Sequence, residues 1–244
     1  MIQEKATVLR HDNFQGDYRI LHLDSPGIGP HVKPGQFIHL QVPQLGDRIL
    51  RRPFSIYKAD EQTITLLYKP VGRGTASMGL LKPDHTVDLI GPLGNGYPPA
   101  SDQTLPVLVA GGYGNAALYL KARSLNRKGV AFFGGRTAED ILCVEEFQDL
   151  GWEVRPTTND GSLGTQGLVT DAFDPWMQPV DCSGPMPGLP HWHAVMQQIL
   201  PTAFLISTSG QLLETSMEWC WRSARNLRIT SSSWPFVRTI AARW

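Results

Sequence analysis

Residues 105–114 read Leu-Pro-Val-Leu-Val-Ala-Gly-Gly-Tyr-Gly, an apolar run that stops in a glycine turn. Such a run has no polar face, which predicts a strand buried on both sides. Downstream, Ala116, Tyr119, Ala122 and Leu125 recur at helical spacing, with Lys121, Arg123, Arg127 and Lys128 on other faces. Gly129 is placed to end that helix. Val130-Ala131-Phe132-Phe133-Gly134-Gly135 then reads as a second buried strand, and Glu153-Val154-Arg155-Pro156-Thr157 as a further one. Strand, helix and strand within about 30 residues make a βαβ unit, so this part is expected to be α/β with a parallel sheet.

Upstream the pattern changes. Residues 18–23, 36–42 and 63–68 alternate apolar and polar, separated by the turn clusters Ser25-Pro26-Gly27, Lys33-Pro34-Gly35 and Ala59-Asp60-Glu61. Short strands with period-2 patterning predict an antiparallel barrel or sandwich, and a closed barrel leaves no edge open to aggregation. The linker falls near residues 98–104, which divides the chain into a β-barrel domain over 1–100, an α/β domain over 101–188 and a tail over 189–244.

Composition narrows the function classes. Lys plus Arg and Asp plus Glu are equal at 22 each, so no net field favours nucleic acid or an anionic membrane. No secretory signal and no long apolar window is evident, which predicts a cytoplasmic protein. The three cysteines, Cys143, Cys182 and Cys220, are scattered without a C-x-x-C pair, against a disulfide framework or a self-contained zinc site.

Three stretches before the linker carry chemistry. Arg51-Arg52-Pro53-Phe54-Ser55-Ile56 opens a strand at a proline, and an Arg beside a Ser hydroxyl suits a diphosphate; a plain basic strand edge has the same letters. Leu67-Tyr68-Lys69-Pro70-Val71-Gly72-Arg73-Gly74-Thr75 adds glycines that let backbone approach an anion, with Gly74-Thr75 able to open a helix. Gly91-Pro92-Leu93-Gly94-Asn95-Gly96-Tyr97 is a third glycine-rich loop, either a ring-stacking site or an interdomain turn. After the linker, Gly111-Gly112-Tyr113-Gly114 joins a strand to a helix, where a diphosphate meets N–H groups and the helix dipole. It lacks the G-x-G-x-x-G spacing, and no acid stands about 20 positions on to hold a ribose.

In this order, R-P-F-S, Y-K-x-V-G-x-G-T, G-P-L-G-N-G-Y and V-L-V-A-G-G-Y-G resemble the ferredoxin-reductase superfamily over roughly residues 5–188. The likeness is closest to the electron-transfer subunit of the two-component dihydroorotate dehydrogenase of pyrimidine biosynthesis. The resemblance implies FAD held by Arg52, Pro53, Phe54, Ser55, Leu67, Tyr68, Lys69, Gly74 and Thr75. It implies NADH at Gly111, Gly112 and Gly114, with Arg136 either reaching a 2′-phosphate or simply solvated. Asn159-Asp160-Gly161-Ser162-Leu163-Gly164 matches a loop bordering the nucleotide. Cys182 matches the family's Cys-Gly-Pro turn beside the nicotinamide, although Ser183 is inserted here. The implied route runs from NADH through FAD and a 2Fe–2S cluster to a dihydroorotate dehydrogenase catalytic subunit.

The family's cluster segment carries four cysteines, whereas only Cys220 lies in the corresponding region. Trp219-Cys220-Trp221-Arg222, read one base later, gives Gly, then Val or Ala, then Gly if Arg222 uses a four-fold codon, which matches the missing loop, so the tail is expected to follow a reading-frame disruption. Two other readings stand beside the first: a stand-alone NAD(P)H flavin reductase or diaphorase, and a degraded homologue that binds nucleotide without activity.

Overall fold

The computed structural model describes residues 1–42, 51–97, 105–177, 204–206 and 212–213. Six strands, β1 (Ile2–Asn13), β2 (Arg19–Asp24), β3 (Phe37–Gln41), β4 (Arg51–Ala59), β5 (Thr63–Tyr68) and β6 (Thr86–Leu93), close a barrel in the order β1-β2-β5-β4-β3-β6. All neighbours within it are antiparallel. The alternation seen in the sequence points Leu21 and Leu23 of β2, Ile38 and Leu40 of β3 and Ile64 and Leu66 of β5 inward, where all six are fully buried. Each such side chain contributes roughly 1.5–3 kcal/mol by leaving water. A short helix, α1 (Arg73–Met78), bridges β5 and β6 and caps the core with Met78.

Two barrel strands were not anticipated. β1 is largely polar, with Ala6 and Val8 its fully buried residues, so its period is too weak to read. β6 extends to Leu93 and takes in the start of the stretch read as a glycine-rich loop.

After the linker, the α/β half contains β7 (Val107–Gly111), α2 (Gly114–Leu125), β8 (Val130–Gly135), α3 (Val144–Asp149), β9 (Glu153–Thr158), β10 (Thr165–Gln166) and α4 (Val169–Met177). β11 (Phe204–Ile206) pairs parallel with β7, and β12 (Leu212–Leu213) pairs antiparallel with β11. The sheet order is β10-β9-β8-β7-β11-β12. Both faces are covered, as the unbroken apolar runs require. Leu108, Ala110, Ala131 and Phe133 pack with Ala116 and Ala117 of α2 and Phe147 of α3. Val107, Val109, Val130 and Phe132 pack with Val169, Phe173 and Trp176 of α4. Among the described residues no helix is long and apolar enough to cross a membrane.

Two details differ from expectation. α2 ends at Leu125 with Asn126 in the left-handed region (φ 48°), so Asn126 and not Gly129 is the stop; asparagine tolerates this conformation almost as glycine does. Gly129 is required for another reason: a Cβ there would lie 2.6 Å from the Pro106 carbonyl oxygen and against the Trp152 ring. Lys121 lies buried rather than on a solvated face, and burial lowers its pKa. The linker, Cys182 and Cys220 lie outside the described residues. So does the segment 189–244, apart from the two short strands that extend the sheet.

Candidate functional site

Residues 1–213 form one compact unit, so the barrel and the sheet can be related directly. From β7 the chain moves outward to β8 and β9, then returns to β11 on the other side. A parallel sheet opens a crevice where its order reverses, at the carboxyl ends of the strands. Gly111, Gly112, Tyr113 and Gly114 lie there, at the end of β7 and the start of α2. Gly112 has φ +54°, and its N–H donates to the Gly134 carbonyl at 2.9 Å, tying the turn to the end of β8. Asn115, in the first turn of α2, is completely buried, and its amide nitrogen and oxygen have no partner among the described residues. The buried Thr157 hydroxyl, on the residue paired with Gly134, is likewise unsatisfied. Each such group costs about 1–3 kcal/mol if nothing meets it.

The barrel's expected flavin segments lie on β4, at the end of β5 and in the stretch that opens α1, and of these the end of β5 packs against β7 and α2. On β4, Arg51 pairs with Asp88 at 2.7 Å, which leaves Arg52 as the guanidinium without a hydrogen bond or ion pair among the described residues. Arg52 is half-buried, Pro53 and Ser55 are exposed, and Phe54 packs edge-on against Tyr68 with ring centroids 5.9 Å apart. The Tyr68 hydroxyl lies 3.0 Å from Nε2 of His11, whose Nδ1 is 3.0 Å from the Leu81 carbonyl. A carbonyl only accepts, so Nδ1 carries a proton and donates to Leu81. Burial, against the opposing pull of Arg19, pushes the Tyr68 phenol up to about 12. Leu67 packs in the same cluster as Leu108 of β7 and Ala116 of α2. Thr75 Oγ1 accepts from the N–H groups of Val71 and Gly72 at 2.9 and 3.2 Å, tightening the turn at Gly72 that opens α1, with Gly74 in the helix's first turn. A Cβ on Gly72 would meet open space.

The Lys69 ammonium is engaged within the protein. It lies 3.3 Å from Asp140 and 3.7 Å from Asp17, and 4.8 Å from the centre of the Tyr18 ring. Arg136 is largely exposed, with its Nε 3.5 Å from Asp140. Cys182 is outside the described residues. Asp160 accepts from the N–H and hydroxyl of Ser162, and the Ser162 hydroxyl accepts from the Ala138 N–H at 2.8 Å, so this loop is anchored beside the end of β8.

Asp140, Tyr18, His11 and Asn115 escaped the sequence reading. Asn115 stands directly after the glycine turn and was within reach of it; Asp140 carries no local signal. Burial works to raise the Asp140 pKa, but hydrogen bonds from Tyr18 and Lys69, the Lys69 charge and the Arg136 N–H outweigh it, and the carboxyl titrates below its ordinary value. A depressed carboxylate contributes stability above its unfolded pKa and loses it as pH falls through the folded one. Acidification below about pH 4 is therefore expected to shrink the stability difference between the protein and Asp140→Asn. Urea unfolding of both at neutral and acid pH checks this; a difference that does not narrow in acid counts against it.

No model of a known protein family matches the chain. Among curated proteins it is 38% identical over 180 residues to the dihydroorotate dehydrogenase B (NAD+) electron transfer subunit of Geobacillus sp. strain WCH70, covering 71% of this chain and 70% of that one. The subunit of the same name from Bacillus caldolyticus is 40% identical over 151 residues, 58% of each chain. That from Fusobacterium nucleatum is 38% identical over 148 residues, 57% of this chain and 56% of its own. The match therefore spans less than two thirds of the last two. Among solved structures, the NADH-dependent reduced ferredoxin-NADP oxidoreductase superposes with a TM-score of 0.65 at 24% identity, over 83% of this chain and 76% of its own. The Amycolatopsis cytochrome P450 reductase GcoB gives 0.58 at 29% identity, over 70% and 57%. The cytochrome b5 reductase domain of Ulva prolifera nitrate reductase gives 0.59 at 14% identity, over 94% of each chain, a likeness of fold alone.

Proposed function

The chain belongs to the family of dihydroorotate dehydrogenase B electron-transfer subunits, and from that premise we propose that it oxidises NADH on a bound FAD, as the electron-transfer partner of a dihydroorotate dehydrogenase catalytic subunit in the cytoplasm. The observation that carries this reading is the shared packing of Leu67, Leu108 and Ala116, which brings the end of β5 to the glycine turn after β7.

The residues present fit both nucleotides. For FAD there is, among the described residues, a half-buried guanidinium on Arg52 with no partner, an exposed hydroxyl on Ser55 and open space at Gly72. For NADH there is the glycine turn, with the Asn115 amide beside it, which has no partner among the described residues. FAD, when bound, supplies a centre that accepts a hydride and releases electrons singly, which no side chain offers. Arg52 and the backbone of Gly74 and Thr75 would hold its diphosphate, while Pro53, Phe54, Ser55, Leu67, Tyr68 and Lys69 would border the rest. Gly111, Gly112 and Gly114 would admit the NADH diphosphate to the start of α2, and Cys182 would border the nicotinamide. Hydride transfer requires no acid or base from these residues. Their work is to hold two rings face to face and keep water out.

A 2Fe–2S cluster does not fit this chain. Four ligands are needed, and of the three cysteines Cys143 is buried among Tyr57, Phe147 and their neighbours, where burial pushes its thiol up to about 12. That shortage supports a second reading, a stand-alone NADH-dependent flavin reductase. An anaerobic visible spectrum before and after NADH tests the first step common to both. Flavin bands that bleach, without iron–sulfur absorption, are expected. A protein that stays colourless after FAD is supplied overturns the reading, and transfer to an added catalytic subunit separates the two versions.

A further inference from the structure

Hydride transfer is steep in distance, and the barrel and the α/β half must hold its partners within about 3–3.5 Å, so whatever fixes one against the other acts on the rate. The carboxylate of Asp140, on the turn after β8, is at the centre of such a contact. It is 7% exposed, and its Oδ1 accepts from the barrel's Tyr18 hydroxyl at 2.7 Å and Lys69 ammonium at 3.3 Å. Its Oδ2 accepts from the Arg136 N–H of its own module at 3.2 Å. Beside it the barrel's Gln15 amide donates to the carbonyls of Ala138, Glu139 and Ile141 at 3.0–3.2 Å. Lys69 directly follows Tyr68 in the flavin segment. Arg136 directly follows the end of β8, to which the glycine turn is bonded through Gly112 and Gly134. Asp140 is thus one residue from each side of the crevice.

The interface has a second contact further along. The Tyr57 hydroxyl of β4 donates to Glu146 of α3 at 2.7 Å, and the Lys58 ammonium lies 4.7 and 4.8 Å from the ring centres of Tyr57 and Tyr119. Both polar contacts add direction to the apolar packing of Leu67 with Leu108 and Ala116 across the same boundary. The Tyr57 contact engages α2 and α3, and the Asp140 contact engages the turn after β8.

We infer that Asp140 is a positioning residue for hydride transfer, a latch that joins Tyr18 and Lys69 of the barrel to the end of β8 and so sets the spacing between the flavin and nicotinamide sides of the crevice. This rests on the reading of the site as one for FAD and NADH. Asp140→Asn keeps the shape but removes the charge that Lys69 and Arg136 share. Misplacement of reacting atoms by an ångström costs up to about a hundredfold in rate, so the variant is expected to reduce its flavin roughly ten- to a hundredfold more slowly at saturating NADH. KM for NADH, bound FAD and the oxidised flavin spectrum are expected to change little. Tyr18→Phe, which loses one hydroxyl and no charge, is expected to move the same way by a smaller factor.

Hydrogen exchange of the FAD-free protein supplies a readout without turnover: amides of residues 15–18 and 136–141 are expected to exchange faster in Asp140→Asn. Faster exchange on both sides together with slower reduction per bound flavin supports the latch. Reduction at the unaltered rate per flavin in both variants overturns it while leaving the proposed function intact. An unaltered protein that holds FAD but is not reduced by NADH overturns the function, and the positioning role with it.

Discussion

If Arg52 holds the FAD diphosphate as proposed, Arg52→Glu is expected to weaken FAD binding by roughly a hundred- to a thousandfold, because repulsion would replace a bidentate guanidinium–phosphate contact, a change of about 3–4 kcal/mol. The fold isolates the effect. Arg51 is committed to Asp88, so it cannot substitute without abandoning a bond of 2.7 Å. Arg52 has no partner to lose among the described residues, so the variant's unfolding transition is expected to stay where it was. Arg52→Lys keeps the charge but not the planar fork, and an intermediate loss is expected. Titration of the FAD-free protein with FAD, followed by flavin fluorescence, checks all three. Equal affinity across the series would show that Arg52 is only a basic strand edge.

Phe147→Ala is expected to destabilise the α/β half by about 3–5 kcal/mol, the range for truncating a buried phenylalanine. The ring is completely buried and meets Phe133, Tyr119 and Trp152 edge-on, with centroids 4.9, 6.0 and 6.1 Å away. It also fastens α3 to the sheet, and α3 carries Glu146, the partner of Tyr57. Loosening this helix should weaken the Tyr57 contact between the modules, so the loss is expected to spread beyond the cavity. Urea unfolding, analysed for midpoint and slope together, measures it; a change under about 1 kcal/mol would mean the cluster collapses around the cavity.

The two kinds of strand were legible because each depends on a local period. Residues 63–68 alternate and point Ile64 and Leu66 into the barrel, while residues 107–110 are apolar throughout and are buried on both faces. β1 was not legible, since its pairing with β2 and β6 and not its own apolar pattern makes it a strand. The end of α2 was misplaced for a related reason. Gly129 and Asn126 are both capable of stopping a helix, and Gly129 is taken up by its close approach to Pro106 and Trp152.

At the candidate site, the glycine turn and the Arg-Pro-Phe-Ser segment stand out in the chain because the chemistry proposed for them is local: a backbone that can approach an anion, a charge beside a hydroxyl. Which residues serve the site from a distance is another matter. Tyr18, Lys69 and Asp140 are 122 and 71 residues apart in their pairings, and no spacing rule links them. From the chain alone, Lys69 is a cation in a flavin segment; in the fold its charge is spent on Asp140 and Asp17. Local patterns determine elements and turns because they depend on neighbours a few residues away. The partners of a buried charge depend on closure of the barrel and on how the sheet packs against it, and these are set by contacts that only the folded chain brings together.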